Sequence, residues 1–343
     1  MKDVLDYIRP NIRRLVPYST ARDEYKGEVG IFLDANENPY QNGFNRYPDP
    51  LQKRMRDKIS ALRHIDGQRL FIGNGSDEAI DLCFRIFCEP GRSSALAVAP
   101  SYGMYKVAAS INDVQIREVL LNEDFSLPVD RILAAADSTT RLLFICSPNN
   151  PTGNAFPMSQ IETLVSSFEG MVVVDEAYVD FSDKGTLLSV LDEHPNLIVL
   201  QTLSKAWGMA GLRTGLAFSS AEVISYFNRV KYPYNVSVAA QRTAEQMLDR
   251  DISAQVAEIK SERERVTVAL KDCGVVKALY PSDANFLLVK VSDAKALYAA
   301  LIEQKVIVRD RSTQPLCGQC LRITIGTPEE NDRMLELMKN YRP

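Results

Sequence analysis

The feature that most constrains the fold of this chain is an alternation of short apolar runs with amphipathic stretches between residues 31 and 218. Most residues of these runs are apolar, without strict alternation with polar residues, which is typical of strands buried on both faces. Helical patterns separate them at Asp77–Cys88, Tyr102–Ser110 and Ser159–Phe168. Together they predict an α/β fold with a mostly parallel sheet flanked by helices. The predicted strands are Ser94–Ala99, Ile116–Leu121, Arg141–Cys146, Met171–Asp175, Leu197–Leu200 and Gly215–Phe218.

The pattern changes after Pro233. Residues 236–273 predict one long helix or two with a break, and shorter strand and helix patterns follow. We therefore predict a large α/β domain of residues 30–232 and a smaller α+β domain of residues 1–29 and 233–343. The predicted elements of the smaller domain are strands at 286–291, 306–309 and 321–325 and helices at 293–304 and 328–341.

Charge and hydropathy exclude several classes of partner. The net charge is −4 and the pI is about 5.5, so nothing draws the chain toward nucleic acid or an anionic membrane. No apolar run approaches the ~18 residues that span a bilayer. The N-terminal residues are partly acidic and lack the apolar core of a signal peptide. We predict a cytoplasmic protein that binds neither nucleic acid nor membrane.

The six cysteines predict neither a disulfide framework nor a metal site. They are scattered through apolar contexts, as expected for reduced, buried thiols. Cys317 and Cys320 have CxxC spacing, but a zinc site would need a second ligand pair, and the only histidines are His64 and His194. A thioredoxin-type pair would open a helix, whereas this pair precedes a predicted strand.

Polar side chains of five chemical types follow the predicted strands. Asn150 comes shortly after Cys146, Asp175 ends its own run, and Tyr178, Lys205 and Arg213 lie downstream. Ligands gather at the carboxyl ends of strands in a parallel sheet, so these side chains are expected to converge. Pyridoxal 5′-phosphate needs a lysine for its Schiff base and an acid opposite its pyridinium nitrogen. The set predicts that cofactor.

Each of these motifs also has an ordinary structural explanation. Gly73–Glu78 before a helix fits an anion site or a plain helix cap. It is neither a Walker A loop nor a GxGxxG motif, so nucleotide binding is not predicted. Ser147–Gly153 fits a turn, and Ser204 with Arg213 fits surface residues as well as a phosphate clamp. The common order and spacing of the motifs favour the cofactor site.

Five further motifs carry a resemblance to a known family. The chain resembles the fold-type I pyridoxal-phosphate aminotransferases over essentially its whole length, and within them the histidinol-phosphate aminotransferase subfamily. Trp207-Gly208-Met209 stands where relatives often have Phe or a small residue, which at most reshapes the pocket. The motifs are Leu33–Pro39, Arg46–Pro50, Leu203–Ala206, Ala210–Arg213 and Leu321–Thr324.

The resemblance implies a role for each candidate site residue. Lys205 would form the Schiff base, Asp175 would face the pyridine nitrogen, and Tyr102 would stack on the ring. Asn150 and Tyr178 would hold the phenolic oxygen. Substrate would be held by Arg322, with Tyr18 and Asn150 also in contact. The phosphate would be held by Ser76, Asp77, Thr202, Ser204 and Arg213, and by Tyr47 of the partner subunit.

The activity implied by the resemblance is transamination of L-histidinol phosphate with 2-oxoglutarate, giving imidazole acetol phosphate and L-glutamate. It also implies a homodimer with shared active sites. An aromatic amino acid aminotransferase or a threonine-phosphate decarboxylase would carry the same cofactor residues and differ only in the substrate pocket. A regulatory domain of the same fold would need an appended DNA-binding module. A purely structural α/β protein would not explain why polar residues of these types follow the predicted strands.

Overall fold

A computed structural model describes residues 3–18 and 30–342 of the chain. Its larger sheet has seven strands in the order β1-β7-β6-β5-β4-β2-β3. The pairs β2–β3, β2–β4, β4–β5 and β5–β6 are parallel, and β7 runs antiparallel to β6 and β1. The strands are β1 Leu70–Asn74, β2 Ser94–Ala99, β3 Gln115–Leu120, β4 Thr140–Cys146, β5 Met171–Asp175, β6 Leu197–Thr202 and β7 Thr214–Phe218.

The six predicted strands of this sheet are confirmed to within two residues at either end. Strand β1 was not predicted, because only Leu70, Phe71 and Ile72 are apolar before Gly73 interrupts the run. Pairing with β7 along its whole length buries those three side chains. A run of three apolar residues is too short to be distinguished from a turn by periodicity alone.

Helices cover both faces of the larger sheet. Along β5, Val172 and Val174 belong to one hydrophobic cluster and Met171 and Val173 to another, so successive side chains enter opposite cores. This two-sided burial explains why the central strands β4, β5 and β6 consist mostly of apolar residues. The helices of this part of the chain are α1 Pro10–Arg13, α2 Lys53–Arg63, α3 Ser76–Phe87, α4 Met104–Ile111, α5 Val129–Ala135, α6 Met158–Ser167 and α7 Ala221–Val230.

The C-terminal part contains a four-stranded antiparallel sheet in the order β10-β11-β9-β8. The predicted strand at 306–309 is wrong in extent, because only Arg309–Asp310 pairs with β11. The stretch 236–273 forms two helices with a break between them, the second of the two predicted alternatives. The elements are α8 Val238–Met247, α9 Ser253–Lys271, β8 Val276–Leu279, β9 Phe286–Val291, α10 Ala294–Glu303, β10 Arg309–Asp310, β11 Cys320–Thr324 and α11 Pro328–Asn340.

The N-terminal turns pack beside the larger sheet. Val4, Tyr7, Ile8 and Ile12 share a hydrophobic cluster with α3 and α7, and the Arg9 backbone N–H donates to a carbonyl at the end of α3 at 3.0 Å. The first helix of the C-terminal part, α8, packs into the cluster on the other face of that sheet. The division into residues 30–232 and residues 1–29 with 233–343 stays a prediction.

All six cysteines are free and buried, and both thiols of the CxxC pair lie in the core cluster of the larger sheet. Burial raises the pKa of Cys317 to about 12 and of Cys320 to about 11. Both are therefore neutral thiols at physiological pH. Within residues 3–18 and 30–342, no helix is both long and apolar enough to cross a bilayer, and no cluster of ligating side chains is arranged to hold a metal ion.

Candidate active site

A cavity of about 120 Å³ opens at the carboxyl ends of the parallel strands β4, β5 and β6. Each strand end delivers a polar residue to it, as expected for ligand sites in parallel sheets. Ten of the thirteen predicted site residues line this one cavity, although they are spread over 138 positions of the chain, from residue 76 to residue 213. They are Ser76, Asp77, Tyr102, Asn150, Asp175, Tyr178, Thr202, Ser204, Lys205 and Arg213.

Asp175 ends β5 as a buried carboxylate at the base of the cavity, with 3% of its surface exposed. Its Oδ2 accepts a hydrogen bond from the Tyr105 hydroxyl at 2.9 Å, and its Oδ1 accepts one from the Ala177 N–H at 3.1 Å. Burial raises the pKa of Asp175 to about 6, against the effect of these two donors. Both donors are neutral, so the carboxylate retains its negative charge for a cation in the cavity.

Lys205 lies in the loop after β6. The loop is closed on itself, since the Met209 N–H donates to the Leu203 carbonyl at 3.0 Å and the Gly208 N–H to that of Lys205 at 3.0 Å. The ammonium lies 5.6 Å from the centroid of the Tyr178 ring. Partial desolvation lowers the pKa of Lys205, and the guanidinium of Arg322 lowers it further. A lowered pKa increases the share of neutral, nucleophilic amine.

Arg322, on the smaller sheet, does not itself line the cavity but contacts a residue that does. Its Nη1 donates to Asn150 Oδ1 at 2.6 Å, and Asn150 Nδ2 in turn donates to the Tyr178 hydroxyl at 3.3 Å. The buried Nε of Arg322 has no hydrogen-bond partner among residues 3–18 and 30–342. Burial lowers the pKa of Arg322 and raises that of Tyr178. The Arg322–Asn150 hydrogen bond links the smaller sheet to the cavity. It leaves the Nε of the Arg322 guanidinium available to bind an anion.

An anion cradle forms where β1 turns into α3. Gly75 has φ +76° and precedes the first turn of α3, whose backbone N–H groups and dipole favour negative charge. Arg213 is held in the left-handed region at φ 54°, and its carbonyl accepts from the Gly75 N–H at 2.8 Å. Its guanidinium lies 3.7 Å from the Asp77 carboxylate. Ser204 and Thr202 complete the cradle, with the Ser204 N–H donating to Thr202 Oγ1 at 3.1 Å.

Tyr18 and Tyr47 do not line the cavity of their own chain. Tyr18 is 75% exposed. Tyr47 is half exposed, and its ring stacks on that of Tyr234 with centroids 4.4 Å apart. Their expected roles in holding substrate and phosphate therefore stay predictions.

Sequence reasoning missed Tyr105 and Arg311. Tyr105 follows Tyr102 by three residues at the start of a helix, a spacing that places both on one side, and this was the available signal. Arg311 follows β10, and burial together with the charges of Arg322 and Arg309 lowers its pKa to about 10. Its Nε is buried without a partner in the described chain. Trp207, the departure noted above, is buried in the core and does not line the cavity.

Comparison with known proteins decides the family. The profile of the aminotransferase class I and II family matches residues 31–337. The chain belongs to this family. Histidinol-phosphate aminotransferase of Parabacteroides distasonis is 51% identical over 344 residues, covering 100% of both chains. The enzyme of the same name from Cytophaga hutchinsonii is 50% identical over 341 residues, covering 97% of this chain and 98% of its own.

Solved aminotransferases share the fold. Histidinol-phosphate aminotransferase of Clostridium acetobutylicum superposes with a TM-score of 0.80 at 22% identity, covering 86% of this chain and 90% of its own. The Sinorhizobium meliloti enzyme, solved in complex with pyridoxal 5′-phosphate, gives a TM-score of 0.79 at 22% identity, covering 86% and 82%. These likenesses confirm the fold-type I architecture predicted from the sequence.

The residues present fit pyridoxal 5′-phosphate, the cofactor of this aminotransferase family. A protonated ring nitrogen would supply the cation that the buried Asp175 carboxylate lacks among its hydrogen-bond donors. Lys205 supplies an amine of lowered pKa, and the turn at Gly75–Ser76 supplies an anion cradle with Arg213 beside it. The acid, the amine and the cradle line the same cavity. A single small molecule with a ring nitrogen, an aldehyde and a phosphate could therefore contact all three.

Gly215 of β7 holds the anion cradle in place by its lack of a side chain. A Cβ built there would overlap the backbone nitrogen of Ser76 and the carbonyl carbon of Gly75. We expect Gly215→Ala to displace the turn, to destabilise the fold by ~1–3 kcal/mol and to weaken pyridoxal-phosphate binding. Gly211→Ala is the matched control, since its Cβ would meet nothing within 4 Å. Denaturant unfolding and fluorescence titration measure both effects, and equal affinities in the two variants would contradict the expectation.

Proposed function

We propose that this chain is a histidinol-phosphate transaminase of histidine biosynthesis. It transfers the amino group of L-histidinol phosphate to 2-oxoglutarate, with imidazole acetol phosphate and L-glutamate as products. The observation that carries the proposal is that Asp175, Lys205 and the Arg322-bound Asn150 meet at one cavity. Relatives of that name, about half identical over the full length, support the choice of substrate.

When bound, pyridoxal phosphate supplies an aldehyde that condenses with amines and a ring that takes up the electrons of a deprotonated carbon. Lys205 Nζ binds the cofactor and moves the proton at the substrate carbon that carries the amino group. Its lowered pKa suits that task, because a general base works best with a pKa near the working pH. Asp175 holds a proton on the ring nitrogen through its negative charge.

The remaining cavity residues orient the cofactor. Tyr178 and Asn150, which share a hydrogen bond at 3.3 Å, would donate a hydroxyl and an amide N–H to the phenolic oxygen. Tyr102 would cover one face of the ring. Ser76, Asp77, Thr202, Ser204 and Arg213, which line the same cavity, would hold the phosphate.

We infer that Arg322 binds the anionic group of both substrates, the phosphate of histidinol phosphate and a carboxylate of glutamate. Its Nε has no hydrogen-bond partner in the part of the chain that the structure describes, and Arg311 and Arg309 add positive charge nearby. Arg322→Lys keeps the charge and loses the planar fork that binds such anions with two hydrogen bonds. Loss of one charge-assisted hydrogen bond costs about 1.5–3 kcal/mol, so we expect KM to rise roughly 10- to 150-fold for both substrates.

Separate measurement of the two half-reactions decides this prediction. If only the glutamate half-reaction is impaired, phosphate recognition lies elsewhere, at Tyr18 and Arg309. Lys290→Arg is a suitable control, because Lys290 lies on β9 opposite Cys320 with its side chain exposed. It should leave both KM values unchanged.

Steady-state rates test the proposed substrate directly. We expect kcat/KM for L-histidinol phosphate with 2-oxoglutarate to exceed that for phenylalanine, and threonine phosphate to yield no decarboxylation product. A higher value for phenylalanine would make the chain an aromatic aminotransferase. Release of carbon dioxide from threonine phosphate would make it a decarboxylase of the same fold.

We also infer that the chain acts as a homodimer in the cytoplasm, with Tyr47 completing the site of the partner subunit. Several large apolar side chains of the segment 31–47 are exposed, and exposed apolar patches mark interaction surfaces. Tyr47 stacks on Tyr234 at the surface and lies outside its own cavity. The six free thiols suit a reducing compartment. The exposed side chains are Ile31, Leu33, Tyr40, Phe44 and Tyr47.

A further inference from the structure

Tyr105 is a buried tyrosine in contact with the acid of the site. It lies at the start of α4, and its hydroxyl donates to Asp175 Oδ2 at 2.9 Å. Its ring stacks on Phe144 with centroids 4.8 Å apart and meets the edge of Tyr102 at 5.7 Å. The residue thus connects the side chain expected to cover the cofactor ring with the carboxylate expected to face its nitrogen.

We propose that Tyr105 is a positioning residue that keeps the Asp175 carboxylate ionised and aimed into the cavity. The proposal rests on the proposed function, because it assumes that Asp175 faces a protonated ring nitrogen. Tyr105 itself does not line the floor of that cavity, so it acts through Asp175.

Burial of Asp175 destabilises its ionised form. Removal from water favours the neutral acid, and hydrogen bonds to the carboxylate oppose this effect. Tyr105 supplies one such bond to Oδ2 and the Ala177 N–H supplies one to Oδ1, so each oxygen has a fixed donor. Two donors on different oxygens also fix the rotation of the carboxylate.

The chemical type of the donor matters. A lysine or arginine in place of Tyr105 would neutralise Asp175 and reduce its attraction for a cationic ring. The phenol donates a hydrogen bond and leaves the negative charge in place. Burial and the Asp175 charge both raise the pKa of Tyr105, so its hydroxyl keeps the proton that it donates.

The other groups around Asp175 do not obscure its titration. Burial raises the pKa values of Cys146, Tyr102 and Tyr178, which therefore stay neutral below pH 8. Lys205 and Asp77 carry the charges that face Asp175 from the loop after β6 and from α3. Neither is touched by a substitution at residue 105.

Tyr105→Phe removes the hydroxyl and retains the ring packing. Without that donor the pKa of Asp175 rises above about 6, so a larger share of the acid is neutral at pH 6. We expect the dissociation constant of pyridoxal phosphate from the variant to rise roughly 10- to 100-fold at pH 6, as for a lost hydrogen bond to a charged group. The difference in dissociation constant between wild type and variant should shrink toward pH 8.5, where Asp175 ionises even without the donor.

Two controls separate positioning from packing. Phe144→Leu removes the stacked ring and leaves the Tyr105 hydroxyl, so it should lower the melting temperature. It should not change the acid limb, by which we mean the weakening of pyridoxal-phosphate binding as the pH falls. An analogue of the cofactor with carbon in place of the ring nitrogen should bind wild type and Tyr105→Phe equally. If Tyr105→Phe does not fold, a fluorotyrosine at 105, the stronger donor, should move the acid limb of the wild-type fold to lower pH.

An acid limb that is the same in wild type and Tyr105→Phe would overturn the proposal, as would unequal binding of the ring-carbon analogue. Because the measurement is cofactor binding, it stands whichever amine is the true substrate. Absence of pyridoxal-phosphate binding in the wild type would instead contradict the proposed function.

Discussion

Replacement of Lys205 by alanine is expected to abolish nearly all turnover while leaving the fold intact. The amine is the general base of the proposed reaction, a role that typically contributes ~10²–10⁴-fold, and its loss also removes the covalent link to the cofactor. The side chain is exposed to the cavity, and the loop around it is held by backbone hydrogen bonds, so alanine should fold normally. Noncovalent binding of pyridoxal phosphate should remain.

Borohydride reduction followed by peptide mapping checks the assignment independently of activity. The wild type should lose its visible absorption and carry the pyridoxyl group on Lys205. Lys184→Ala is the matched control, because Lys184 pairs with Asp283 at 3.0 Å outside the cavity. Its turnover should match the wild type, since a surface ion pair contributes little. A label on any other lysine would make the Lys205 assignment wrong.

Mixing two inactive variants is expected to restore activity if Tyr47 acts across a dimer. Tyr47→Ala and Lys205→Ala homodimers should both be impaired. In a mixed dimer, one site combines an intact Lys205 with an intact Tyr47 from the other chain. At equal mixing about half of the dimers are mixed, so about a quarter of the wild-type activity should return, well above the trace left in Lys205→Ala.

The mixing experiment distinguishes a Tyr47 that acts in the partner's cavity from one that acts in its own. If Tyr47 serves the cavity of its own chain, no mixed dimer contains a complete site and mixing restores nothing. Tyr232→Ala offers a control on the same exposed surface, since Tyr232 is 75% exposed and does not line the cavity. Mixed with Lys205→Ala, it should show only the activity of its own intact chains. Sedimentation analysis of each sample verifies that dimers form and exchange subunits.

The larger sheet and most of the cofactor residues were predictable because the signals for them are local. Strands such as Met171–Asp175 are apolar up to the last residue because each face enters a separate core, and the sequence shows this burial as an unbroken apolar run. The position of Asp175 at the end of that run then places it at the ligand-binding edge. Ten of the predicted residues line one cavity for this reason.

Only the tertiary structure decided the contacts between distant elements. Arg322, on a strand of the smaller sheet, and Asn150, in the loop after β4 of the larger one, are 172 positions apart, yet they share a hydrogen bond at 2.6 Å. The side-chain donor to Asp175 is Tyr105, which comes from a helix 70 positions away, and β1 becomes a strand only through its pairing with β7. The periodicity of the sequence indicates which side of a helix or strand is buried. Which side chain a buried residue contacts depends on how the long loops bring distant elements together. The sequence alone determined the strands and the polar residues at their ends, and the packing of the two sheets and their helices determined which of those residues touch.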